Sequence, residues 1–205
     1  MKLFKLLSAG ALMLGAVTVA TAQEDASNSD SMSPSFGVKG GVNFATVSGD
    51  DFDSPDSRTS FHVGVFGEFP IAEIFSIQVE ALYSGQGFEI SDGGVLSNNK
   101  VEYQLDYINV PVLAKFYLFE GFSLEAGPQF SFKVNEEIDA DPNNDPGDSD
   151  QDFAETFDFG VAGGATFQTS MGLFATARYT QGITDVVKDR DIKNAVFQVG
   201  IGFKF

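Results

Sequence analysis

The sequence predicts an all-β chain: an eight-stranded antiparallel up-and-down barrel that spans a membrane. Three observations predict it. Apolar residues recur at every second position in eight separate stretches. The connections between those stretches alternate short and long. No stretch beyond residue 22 is apolar and long enough for a membrane helix, so a crossing there requires a closed barrel.

The elements follow in order along the 205 residues. Lys2 and Lys5 precede an apolar run over 6–19, and Ala20-Thr21-Ala22 forms an A-x-A cleavage site, so 1–22 reads as a signal peptide. The stretch 23–35 (QEDASNSDSMSPS) is small, polar and acidic, and reads as a disordered periplasmic leader. The barrel domain then occupies 36–205, beginning with Phe36, Val38, Val42 and Phe44 on one face and Gly37, Lys39, Gly41 and Asn43 on the other.

Phe61, Val63, Val65 and Phe69 oppose His62, Gly64, Phe66 and Glu68 in the second strand. In the third, Phe75, Ile77, Val79, Ala81 and Tyr83 oppose Ser76, Gln78, Glu80, Leu82 and Ser84. The fourth sets Ile108, Val110, Val112, Ala114, Phe116 and Leu118 against Asn109, Pro111, Leu113, Lys115 and Tyr117. The fifth sets Phe122, Leu124, Ala126, Phe130 and Phe132 against Ser123, Glu125, Gln129, Ser131 and Lys133. Phe157, Phe159, Val161, Ala165 and Phe167 mark the sixth, and Leu173, Ala175, Ala177 and Tyr179, opposed by Arg178, mark the seventh. The eighth has Ala195, Phe197, Val199, Ile201, Phe203 and Phe205 on one face, with Gln198, Gly200, Gly202 and Lys204 on the other.

Alternation alone also fits a soluble lipocalin-like carrier. The phase of the pattern favours a membrane barrel: one face is nearly pure Phe, Val, Ile, Leu and Ala, which suits lipid. The other mixes glycine with acids and bases, as a narrow lumen filled by side chains requires. The short connections fall at 70–74, 119–121 and 169–172, and the long ones at about 47–59, 87–101, 135–152 and 183–194. Short turns belong on the periplasmic side, which places both termini in the periplasm.

Composition narrows the function. There is no cysteine, which removes disulfides, thiolate chemistry and a lipoprotein anchor. The net charge of −17 opposes nucleic-acid binding. Tryptophan is absent, whereas phenylalanine and glycine each number 22, so aromatic belts at the interfaces must come from Phe and from Tyr83, Tyr103, Tyr107 and Tyr179.

The run Tyr107-Ile108-Asn109-Val110-Pro111-Val112-Leu113-Ala114-Lys115-Phe116 resembles the Y-(I/L)-x-(I/V)-P-(L/V)-L-x-K strand of the PorT-like outer-membrane β-barrel family. Phe36-Gly37-Val38-Lys39-Gly40-Gly41-Val42-Asn43-Phe44, Leu124-Glu125-Ala126-Gly127-Pro128-Gln129, and Ala177-Arg178-Tyr179 agree with it. The resemblance implies a small outer-membrane barrel in a Gram-negative envelope and carries no activity. The terminal strand, ending in Phe203 and Phe205, resembles the C-terminal signal read by the outer-membrane insertion machinery.

Candidate chemistry is sparse. His62 is the single histidine and has Ser60 and carboxylates nearby, the parts of an envelope lipid hydrolase; a packed lumen histidine is the plainer reading. The acidic run 136–152, and more weakly Asp50, Asp51, Asp53 and Asp56, could collect a divalent cation but lack EF-hand spacing, and read as solvated loops. No catalytic residue, cofactor or metal is expected.

A further candidate set is Lys39, Glu68, Glu80, Lys115, Glu125 and Arg178. All six fall on the lumen face, in the half nearer the short turns, where unpaired charges would be costly. They should form a salt-bridged plug, with Glu80–Arg178 and Glu125–Arg178 as its first pairs. The function expected is structural or interactive, with a small pore or a hydrolase using His62 as alternatives. The partners expected are outer-membrane lipid and, during biogenesis, the insertion machinery, with no nucleic acid; the sequence names no external protein partner. Closure leaves no free sheet edge, so a monomer is expected.

Overall fold

The computed structural model describes residues 33–48, 56–91, 100–139, 155–186 and 192–205. The expected signal peptide, most of the leader, Asp50, Asp51, Asp53 and residues 140–152 of the acidic run lie outside them. The described chain forms eight strands: β1 (Ser35–Ser48), β2 (Asp56–Ala72), β3 (Phe75–Ser91), β4 (Lys100–Phe119), β5 (Phe122–Asp139), β6 (Phe157–Gln168), β7 (Leu173–Gly182) and β8 (Lys193–Lys204). Each pairs antiparallel with its neighbours in sequence, and β1 pairs with β8 to close the barrel.

Closure carries a definite stagger. From Tyr107 the paired residues run through Ser84, His62, Gly41, Gly200, Thr176, Thr166 and Ser123 and return to β4 at Tyr117, ten residues further along. Eight strands with that offset must tilt by about 40° for rows ~4.8 Å apart and a rise of ~3.3 Å per residue. At that tilt, inward residues of alternate strands meet at nearly the same level.

The two faces have the predicted phase. Phe61, Val63, Leu124, Phe167, Val199 and Ile201 are exposed on the outside, whereas Lys39, Glu68, Glu80, Lys115, Glu125 and Arg178 are buried inside. Inverting a water-soluble barrel in this way leaves a large apolar outer surface that only lipid can cover. The β4–β5 and β6–β7 turns use Gly121 (φ 80°) and Gly172 (φ 90°), where a side chain would strain the backbone. A Cβ on either would also lie against a carbonyl, Gln168 O at 2.5 Å and Lys204 O at 2.3 Å respectively.

Two expectations are corrected. Regular pairing runs deeper into the long connections than the apolar pattern suggested: β2 starts at Asp56, β3 reaches Ser91, β4 starts at Lys100 and β5 reaches Asp139. The β2–β3 turn likewise shrinks to Glu73 and Ile74. Pairing needs only a neighbouring backbone, while alternation marks only the part of a strand that meets lipid. The second correction concerns the belts. Tyr179 is exposed on the outer face and Tyr83 lies in the outward row of β3, but Tyr107 is fully buried inside the barrel. Tyr103 also turns inward, stacked on Phe88 with ring centroids 4.8 Å apart. The reason is pleat parity: Ile108 faces lipid, so Tyr107, Leu105 and Tyr103 belong to the lumen row.

Candidate functional site

The lumen charges form two layers. The odd strands supply the first: Lys39 from β1, Glu80 from β3, Glu125 from β5 and Arg178 from β7. Arg178 stands at its centre. Its Nη1 donates to Glu80 Oε2 at 2.7 Å and its Nη2 to Glu80 Oε1 at 2.7 Å. Nε and Nη2 donate to Glu125 Oε1 at 2.9 and 2.6 Å. Lys39 Nζ reaches both Glu80 oxygens at 3.4 Å. This fork geometry is one that only a planar guanidinium provides.

The even strands supply the second layer, nearer the short turns. Lys115 Nζ donates to Glu68 Oε2 at 3.1 Å, Lys204 Nζ lies 3.5 Å from Glu68 Oε1, and the Tyr117 hydroxyl also donates to Glu68. Gln78 ties the layers together: it donates to Glu80 Oε1 at 2.5 Å and accepts from Lys115 at 3.1 Å. Thr166 of β6 adds a hydroxyl to Glu125 at 3.3 Å. All six charges read from the sequence thus lie in one connected network. Lys204, Tyr117 and Gln78 join it; their inward parity was legible, their reach was not.

His62 sits above this network, buried against Gly41 and Gly200. Its Nδ1 lies 2.7 Å from Asn43 Oδ1, which also accepts from Gln198 Nε2 at 3.0 Å. The Asn43 amide nitrogen donates to Phe61 O, Ser84 Oγ and Gly85 O at 3.2, 2.9 and 2.7 Å, which sets Oδ1 as the acceptor and Nδ1 of His62 as protonated. Ser60, the potential nucleophile, donates instead to Gly85 O at 2.5 Å. Serine and histidine are therefore engaged separately, and His62 Nε2 has no hydrogen-bond partner.

Further from the short turns, Asp158 accepts from Thr184 Oγ1 at 2.7 Å and from Asn194 Nδ2 at 3.1 Å. Above it lies an apolar cluster, with the ion pair of Lys133 and Glu136 at 2.5 Å beside it on β5. Val186 packs with Leu105 and Tyr107, and Ile192 packs with Val47, Phe88 and Tyr103. Val186 N donates to Ile192 O at 2.7 Å, and Val186 O accepts from Glu155 N at 2.8 Å. Nothing in the alternation pattern marked this cluster, because Val186 and Ile192 flank a strand rather than belong to one.

Phe203 and Phe205 lie exposed at the closing seam. Phe205 N donates to Phe36 O at 2.9 Å, and Phe36 N donates to Phe205 O at 3.4 Å, so pairing runs to the last residue. Among the described residues no group of three metal-ligating acidic, histidine or cysteine side chains converges.

Solved structures share the architecture. Ail, the attachment invasion locus protein of Yersinia pestis, matches 85% of this chain and 100% of its own at 12% identity and a TM-score of 0.53. The Neisserial surface protein A, NspA, matches 84% of this chain and 99% of its own at 16% identity and a TM-score of 0.56. Identities this low speak for the fold alone. No curated protein matches the sequence. The model of the outer membrane protein β-barrel domain matches residues 21–188. The chain, an outer-membrane β-barrel, belongs to the outer membrane protein β-barrel domain family.

Proposed function

We propose that the mature chain, released from a signal peptide at 1–22, is a PorT-like, non-enzymatic protein of a Gram-negative outer membrane. Its lumen is closed by paired charges, and its role is to support the envelope or to meet an external partner through acidic loops. Short turns and both termini face the periplasm, and the long connections face outward. Phe203 and Phe205 serve the insertion machinery. The observation that carries the reading is Arg178, 1% exposed, bound to two carboxylates across the lumen of a barrel clad in apolar side chains. An open pore would leave these charges in water, and a hydrolase would pair Ser60 with His62.

Ail has been crystallised with the heparin analogue sucrose octasulfate. The long connections here point to a different ligand chemistry: residues 136–152 hold eight acids and no Lys or Arg, which repels polyanions. A cationic protein surface fits them better.

The test is reconstitution of the mature chain in phospholipid vesicles. A heat-modifiable gel mobility with no single-channel conductance in planar bilayers is expected. Steady conductance overturns the closed lumen, and a chain that stays soluble without detergent overturns the membrane assignment. In intact cells, photo-crosslinkers at 140–152 should capture an outer-surface protein; capture of only periplasmic proteins reverses the orientation.

A further inference from the structure

We infer that the lumen is sealed at two separate levels, ionic toward the short turns and apolar toward the long connections, with an isolated polar interval between. The inference rests on the closed-lumen reading above and extends it.

The inward row of β4 runs through both seals. From the long-connection end it reads Tyr103, Leu105 and Tyr107, then Asn109, then Pro111 and Leu113, then Lys115 and Tyr117. A similar order recurs on β1, with Val47 and Ala45, then Asn43, then Lys39, and on β3, with Phe88, then Gln86 and Ser84, then Leu82, then Glu80 and Gln78. All three strands therefore pass from apolar through polar to ionic at matching levels, with Leu82 on β3 and Pro111 and Leu113 on β4 between the last two. Tyr107 and Lys115 are eight residues apart, which at the barrel's tilt is about 20 Å along the axis.

The apolar seal is completed from outside the strands. Val186 and Ile192 are both at least 98% buried. They belong to the β7–β8 side, yet they pack on Leu105 and Tyr107 of β4 and Phe88 of β3. With β8 and β4 four strands apart in an eight-stranded ring, this contact crosses the mouth. No residue belongs to both seals, and the ion pair of Lys133 with Glu136 at 2.5 Å stands on β5 beside Tyr107 and Leu105. The two can therefore fail one at a time. Loss of the apolar seal, for example when a partner draws on the long connections, leaves the ionic base closed and the membrane tight.

Asn109, fully buried between the seals, reports on both. The chain has no cysteine, so Asn109→Cys carries a single thiol. We expect a charged maleimide to label it in nanodiscs, where both ends of the barrel are open to reagent, at least 100-fold more slowly than Ser170→Cys in the β6–β7 turn. Adding Val186→Gly with Ile192→Gly should raise the rate at least tenfold. Adding Arg178→Ala with Glu80→Gln and Glu125→Gln should do so separately, and heat-modifiable mobility checks that each variant is folded. Leu105→Gly with Val47→Gly opens the same apolar seal from its wall, should the first pair fail to fold. In vesicles the apolar-seal variants should remain non-conducting.

Labelling of Asn109→Cys at the turn rate in the otherwise unaltered barrel overturns this inference and the closed lumen together. Unchanged labelling in folded apolar-seal variants overturns the two-level inference and leaves the closed lumen standing. Conductance from the apolar-seal variants overturns the independence of the ionic base.

Discussion

Replacing Arg178 by methionine is the most informative single perturbation. The side chain is 1% exposed, and the change deletes four charge-assisted hydrogen bonds while keeping most of the bulk. Its two carboxylate partners then fare differently. Glu80 keeps Lys39 at 3.4 Å and Gln78 at 2.5 Å. Among the described residues, Glu125 keeps one direct side-chain hydrogen bond, from the Thr166 hydroxyl at 3.3 Å. One buried carboxylate is thus left without a hydrogen-bonded cation, which costs about 3–5 kcal/mol. The compensating change follows: Glu125→Gln added to Arg178→Met removes the stranded charge and should recover about 2 kcal/mol, because an under-satisfied amide costs less than an ion. The chain has no tryptophan, so folding in phospholipid vesicles is best followed across a urea series by heat-modifiable gel mobility. A loss below about 1 kcal/mol for Arg178→Met would show that water reaches the cluster. A further loss on adding Glu125→Gln would show that the stranded charge is not the origin of the cost.

Three other outcomes are expected. Gly41→Ala puts a Cβ at 2.1 Å from Val199 O and 2.9 Å from His62 Cε1, and should cost at least ~2 kcal/mol in the same assay. Gly163→Ala, whose nearest contact is Glu125 O at 3.9 Å on the lipid side, should stay within ~0.5 kcal/mol; equal effects would contradict the strand phase. Val199→Arg places a charge against acyl chains and should lower folding stability in vesicles by about 2–4 kcal/mol, with undiminished folding pointing to a solvated face. Tyr107→Ala should cost about 3–5 kcal/mol as a buried truncation, and Tyr179→Ala on the outer face under ~1 kcal/mol; the reverse order would return Tyr107 to the belt.

The candidate site was unevenly legible. Lys39, Glu80, Glu125 and Arg178 were readable as lumen charges because each is flanked on both sides by residues suited to lipid, and a pleat permits only one alternative direction. Parity also contained the answer for Tyr107, one position from Ile108, although composition suggested a belt. Lys204 and Tyr117 shared that parity, but nothing local says that a side chain on β8 and another on β4 converge on Glu68 of β2.

What the sequence determined by itself is directional: which side chains face acyl chains, how many strands there are, and which ends turn tightly. Those properties are local, set by a period of two and by the residues at each turn. The tertiary structure alone decided the level of each charge. Level depends on the ten-residue stagger accumulated around the closed sheet, which brings Lys39, Glu80, Glu125 and Arg178 from four odd strands into one layer. It also decided the apolar closure by Val186 and Ile192, since a residue outside a strand has no pleat to dictate where its side chain points.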